Sequence, residues 1–202
     1  KKREPKPELI LKSSFSFWKR STAGYQNLLI FFGAFTLLNS SDVFLLLKAK
    51  EILKDDLLVI GCYIFYNFIY ASSSFRFGRI SDKIGKGQTF SLSLFLFATA
   101  YLSMGFAQNV WAVLAAFLIY GLFSGASEGT IKAWVSSHSQ SLDRAEALGF
   151  QSTTQSVCAL LASVIAGLVW TQFGSIYVFV YSGLGAVTLA ILARTKFRNL
   201  LF

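Results

Sequence analysis

Six long apolar runs, each near the length that crosses about 30 Å of hydrocarbon at about 1.5 Å per residue, constrain this chain more than any other feature. They cover approximately residues 25–47, 57–75, 89–106, 110–135, 147–171 and 176–193. Asn39 and Asp42 interrupt the first run near its far end, and Glu128 and Lys132 interrupt the fourth. A membrane barrel would show short alternating segments. The stretch 159–170 does not alternate, so the expected fold is an all-α polytopic membrane protein with six transmembrane helices. Composition agrees, since charged residues make up 14% of the chain against about 25% in average soluble domains.

The net charge of +9 would suit a nucleic-acid partner only if the basic residues formed one face of a soluble fold. They lie instead between the apolar runs. Sixteen of the 19 Lys and Arg fall ahead of the first run, between the second and third, around the fourth-to-fifth connection, and after the sixth. The opposite side holds Lys48, Lys50 and Lys54. By the positive-inside rule both termini are expected in the cytoplasm, in a cell (inner) membrane, with lipid as the surrounding partner and no nucleic acid.

Residues 1–24 are expected to form a cytoplasmic linker. Both prolines of the chain lie in its charged opening, and 9–18 suits a short interfacial helix with Trp18 at headgroup level. Residues 25–193 form the membrane domain and 194–202 a cytoplasmic tail. The chain lacks an initiator methionine and reads as a piece of something longer.

No catalytic constellation is visible. His138 is the sole histidine, and Cys62 and Cys158 lie inside apolar runs. A catalytic triad, a zinc helix and a histidine metal cluster are therefore out of reach, as is a phosphate-cradling GxxxxGK[ST]. No enzyme activity, cofactor or metal is expected.

Polar side chains within hydrocarbon are costly and usually face a cavity or a partner. Asp42, with Asn39 one turn earlier, is read in the outer third of the first span. It would either couple this span to protons by titrating there, or meet Lys48 or Lys50 at a hydrated end. Tyr63, Tyr66, Asn67 and Tyr70 recur at i, i+3, i+4 and i+7, a single helical face that suits a cavity wall better than lipid. Tyr120, Ser124, Ser127 and Glu128 form a similar stripe, and Gln151 and Gln155 sit one turn apart. Helix packing is the competing reading for these last two sets. Gly121, Gly125 and Gly129 form a small-residue ridge on which another helix can pack closely.

Between the second and third runs stands Gly78-Arg79-Ile80-Ser81-Asp82-Lys83-Ile84-Gly85-Lys86-Gly87. It resembles the G-x3-D-[RK]-x-G-[RK]-[RK] signature of the major facilitator superfamily, departing only at Gly87, where that family usually has a basic residue. The stretch 121–152, with Asp143 and Arg144 at its turn, is similar to the tenth and eleventh helices of bacterial members. The resemblance implies that this chain is the second six-helix half of such a transporter, with an N-terminal six-helix half missing. It also implies alternating access for a small-molecule substrate, with Gly78, Arg79, Asp82, Lys83, Gly85 and Lys86 as a cytoplasmic gating loop. Glu128 would latch to Arg79 or Arg76 there. Asn39, Asp42, Tyr63, Tyr66, Asn67, Tyr70, Tyr120, Gln151 and Gln155 would wall the substrate cavity. The alternatives are a self-standing six-span structural or interaction protein, and a channel.

Overall fold

The first apolar run does not fold as one helix. In the computed structural model, which describes residues 17–139 and 143–195, it is split into α1 (Ala23–Leu38) and α2 (Val43–Leu53). The break falls on Asn39-Ser40-Ser41-Asp42, four residues whose short polar side chains compete with helical backbone bonding and favour turns. Asn39 N–H closes α1 on Phe35 and Thr36 oxygens, and Ser41 oxygen takes the Phe44 N–H.

After Lys54, α3 (Asp56–Ile84) is capped by Asp55, whose carboxylate accepts from Leu57 and Leu58 N–H at 2.8 and 3.3 Å. There follow α4 (Lys86–Gly105), α5 (Val110–Ser137), α6 (Arg144–Phe173) and α7 (Ser175–Thr195). Asn109 caps α5 through Ala112 N–H at 2.9 Å. Among the described residues five stretches are long and apolar enough to cross a membrane: Ala23–Leu53 taken together, Asp56–Ile84, Val110–Ser137, Arg144–Phe173 and Ser175–Ala193. The third expected span is α4, whose 20 residues reach about 30 Å. Its serines and threonines dilute its hydropathy, and several of them, Thr89, Ser91 and Ser93, are buried against neighbouring helices. The result is an all-helical polytopic bundle.

Burial is uneven. α4 lies at the centre, packed on α5 and α7, while α3 leans on α5 and α1 on α6. The centre is built of phenylalanine: Phe32 meets Phe90 with ring centroids 5.0 Å apart, and Phe97 meets Phe35 and Phe123 at 5.1 Å each, all edge-on. Edge-to-face pairs add about 0.5–1.5 kcal/mol each beyond their area. In contrast, α3 and α6 bury few side chains and leave Ile64, Phe68, Leu160, Val164 and Leu168 exposed.

The glycine ridge of α5 packs on α3. A β-carbon at Gly121 would stand 2.9 Å from Ile69, and one at Gly125 would stand 2.2 Å from Ser73 Oγ, whereas one at Gly129 would meet open space. Close approach therefore spans two glycines, not three.

The expected loop at 78–87 is a correction of a different kind. Helix α3 continues through Gly78, Arg79, Asp82 and Lys83 to Ile84, and Gly85 alone, at φ +95, separates it from Lys86 at the start of α4. Lys83 in the last turn of α3 favours that continuation, because a cation there meets the negative end of the helix dipole. Most of the expected linker, and the tail beyond Thr195, lie outside the described residues. What is described of the linker packs down: Phe17 is buried against Tyr25, and Trp18 stacks on Phe150 at 5.8 Å.

Candidate functional site

The break between α1 and α2 opens onto a cavity of about 320 Å³. Its wall includes Thr36 from α1, Asn39 and Asp42 from the break, Tyr66 and Tyr70 from α3, Tyr120, Ser124, Ser127, Glu128 and Lys132 from α5, and Gln151 and Gln155 from α6. A wider recess of about 560 Å³ shares Thr36, Asn39, Asp42 and Gln155 and adds Tyr63, Ser40 and Ser163. Tyr66 and Tyr120 each lie ten residues beyond the first residue of their helix, about 15 Å in. Asp42 therefore sits well inside the bundle.

Asp42 is held by two tyrosines from two helices. Tyr120 Oη donates to it at 2.5 Å and Tyr66 Oη at 3.4 Å, and Ser124 Oγ lies 3.3 Å from the Tyr66 hydroxyl. Neither Lys48 nor Lys50 reaches it. Lys48 pairs with Glu51 at 3.1 Å and donates to Ser175 at 2.9 Å, while Lys50 pairs with Asp56 at 2.9 Å. The expected contact of Asp42 with a lysine is thus not made, because the helix break swings α2 and its lysines toward α3 and α7.

The polar turn itself is anchored from below. Tyr101 of α4, fully buried, donates to Ser40 oxygen at 3.1 Å and lies 3.2 Å from Ser40 Oγ and 3.4 Å from Asn39 Oδ1. Sequence reasoning missed Tyr101, since the third span offered no periodic polar stripe. The available signal was a lone tyrosine in a run of Leu, Phe and Ala.

One turn along α3 the second carboxylate is bound differently. Glu128 accepts a hydrogen bond from Tyr70 Oη and forms an ion pair with Lys132 at 3.1 Å. The expected latch from Glu128 to Arg79 or Arg76 is not formed. Arg79 stands nine residues beyond Tyr70 on α3, about 13 Å further along the axis, and its guanidinium lies over the Phe75 ring at 4.4 Å. Gly78, Arg79, Asp82 and Lys83 are exposed there, outside the cavity.

Two further expectations divide. Gln151 is buried and donates to Gln155 Oε1 at 2.7 Å, so the pair forms one amide unit in the wall. Asn67 does not join the tyrosines: it is exposed and its amide donates to Tyr63 oxygen on its own helix at 2.8 Å. A residue at i+4 from Tyr63 should share its face, but the set spans more than the strip of α3 that faces the cavity. Among the described residues no cluster of metal-binding side chains occurs.

Residues 28–199 match the family model of the Major Facilitator Superfamily. The chain belongs to the major facilitator superfamily. It is also 34% identical over 142 residues to an uncharacterised MFS-type transporter of Methanocaldococcus jannaschii, a match covering 67% of this chain and 36% of that relative. The chain thus spans about a third of the relative's length. Major facilitator membership accounts for the signature at 78–86 and makes the protein a multi-pass member of a transporter family.

Proposed function

We propose that this chain is the C-terminal six-helix half of a secondary active transporter that moves a small organic solute by alternating access. The observation that supports it most is the polar cavity at a broken helix: two carboxylates, three tyrosines and two glutamines face a space of about 320 Å³ at depth in an apolar bundle. Side chains of this kind are retained within a membrane where they meet a solute, an ion or each other. Broken helices at mid-depth commonly mark transport sites. The sparsely buried α3 and α6 offer their flanks to the second half, and the basic end, carrying Arg76, Arg79, Lys83 and Lys86, faces the cytoplasm with both termini. The signature at 78–86 acts there as the gate.

The test uses the full-length protein with Cys62 and Cys158 replaced by serine and Ser127→Cys placed in the cavity wall. A membrane-impermeant thiol reagent should label it in both right-side-out and inside-out vesicles, with the two accessibilities changing in opposite directions when a ligand is added. Labelling from one side under every condition would rule out alternating access. Simultaneous access with ion conductance across a planar bilayer would mean a channel.

A further inference from the structure

We propose that the solute is a monovalent organic cation, an ammonium or phosphonium bearing apolar groups, with its charge against Asp42 and its body against the part-exposed ring of Tyr70. This rests on the transporter reading and names the class of solute for the same cavity.

Charge comes first. Three ionisable carboxylate or ammonium side chains line the cavity: Asp42, Glu128 and Lys132. Glu128 and Lys132 are paired at 3.1 Å, so their opposite charges offset each other. Asp42 forms no ion pair among the described residues, and the two lysines nearest in sequence are occupied by Glu51 and Asp56. The tyrosine hydroxyls at 2.5 and 3.4 Å replace water around the carboxylate but bring no positive charge. A carboxylate inside a membrane without a counter-ion is costly. A cationic solute supplies the missing charge. An anion would be repelled in a medium of low dielectric constant, and a neutral solute would leave the carboxylate as it is.

The walls match such a solute. Tyr66 and Tyr120 have ring centroids 5.3 Å apart at 31°, and Tyr66 is stacked with Tyr70 at 6.4 Å and 13°. Tyr66 and Tyr120, with Phe35 and Phe123, are buried and form the packed floor of the wall, and the part-exposed Tyr70 ring is the aromatic face that a solute meets. Aromatic faces attract cations, most strongly where water is excluded. A volume of about 320 Å³ accepts a solute with an aromatic ring and several alkyl groups. Gln151 donates to Gln155 at 2.7 Å, and the remaining amide groups of the pair are left for polar substituents of the solute.

Binding is measured on the full-length protein in phosphatidylglycerol vesicles, so that no quaternary lipid headgroup competes. The probes are tetraethylammonium, benzyltrimethylammonium and tetraphenylphosphonium, with benzenesulfonate and benzyl alcohol as anionic and neutral counterparts. At least one cation should bind in the micromolar range and neither counterpart should. Asp42→Asn should weaken that binding at least tenfold, Tyr70→Leu severalfold, and Asp42→Glu should restore most of it. Glu51→Gln, in the ion cluster outside the cavity, should leave it within twofold. Failure of all three cations to bind, or equal binding by Asp42→Asn, overturns the cation assignment while the thiol-labelling result for alternating access stands or falls separately. Cation binding that depends on Asp42, with labelling from one side only, would keep the site and remove transport.

Discussion

Asp42 and Glu128 line the same cavity, one to two helical turns apart, yet are built to opposite plans. Asp42 stands where α2 begins, is steadied by hydroxyls from α3 and α5, and forms no ion pair among the described residues. Glu128 stands in an intact helix with Lys132 four residues on, in the order that favours an intrahelical pair. One carboxylate has a cation on its own helix as well as the Tyr70 hydroxyl. The other depends on hydroxyls from two other helices. Acidic residues in one cavity are therefore not interchangeable, and the helix on which each is mounted decides its role.

The most severe way to break the contrast is to push its two supporting helices apart. Gly125→Leu forces a side chain into Ser73 and should cost about 1–3 kcal/mol or more through overpacking. Folded protein recovered from membranes should fall severalfold, with both ends of the cavity lost together. Gly129→Ala, which meets open space, should change nothing measurable by the same assay. Next in size, Asp42→Leu leaves the hydroxyl of Tyr120, a residue only 2% exposed, without its acceptor and should destabilise by about 1–3 kcal/mol. Glu128→Leu breaks a pair whose side chains are 64% and 49% exposed, so thermal unfolding in detergent should shift by less than about 1 kcal/mol. Equal shifts for the two would erase the distinction. Tyr101→Phe, which releases the polar turn at Ser40, should cost about 1 kcal/mol. It should also weaken ligand binding although Tyr101 does not line the cavity. The smallest effect on stability belongs to Asp82→Asn: an exposed substitution should lie within about 0.5 kcal/mol. It should nevertheless slow transport while leaving binding intact, and an equal loss of both would remove Asp82 from the gate.

Much of the frame was legible because its signals are long. Six apolar runs, a tyrosine face on the second and a short glycine-and-charge signature between the second and third each extend over several turns, so single exceptions do not hide them. The cavity residues Asn39, Asp42, Tyr66, Tyr70, Tyr120, Gln151 and Gln155 could be singled out for the same reason, as polar groups in apolar surroundings. Three things could not. The break at Asn39-Ser40-Ser41-Asp42 looks like polar interruptions of one span, because turn-forming residues reveal a turn only when a partner such as Tyr101 holds it. The Glu128 partner depends on axial depth, and depth on α3 is set by how α5 packs against it at Gly121 and Gly125. The exclusion of Asn67 follows from the width of the cavity, which periodicity does not carry.

Gly85 joins α3 to α4 and Gly174 joins α6 to α7, each as the sole residue between two helices and each in a backbone region, φ +95 and +103, that side chains rarely allow. A joint this short keeps the last turn of one helix beside the first turn of the next, so the signature at the end of α3 and the start of α4 are held within one residue of each other. Through α4, which packs on α5 and α7, that signature is built into the same stack of helices as Tyr120 beside Asp42.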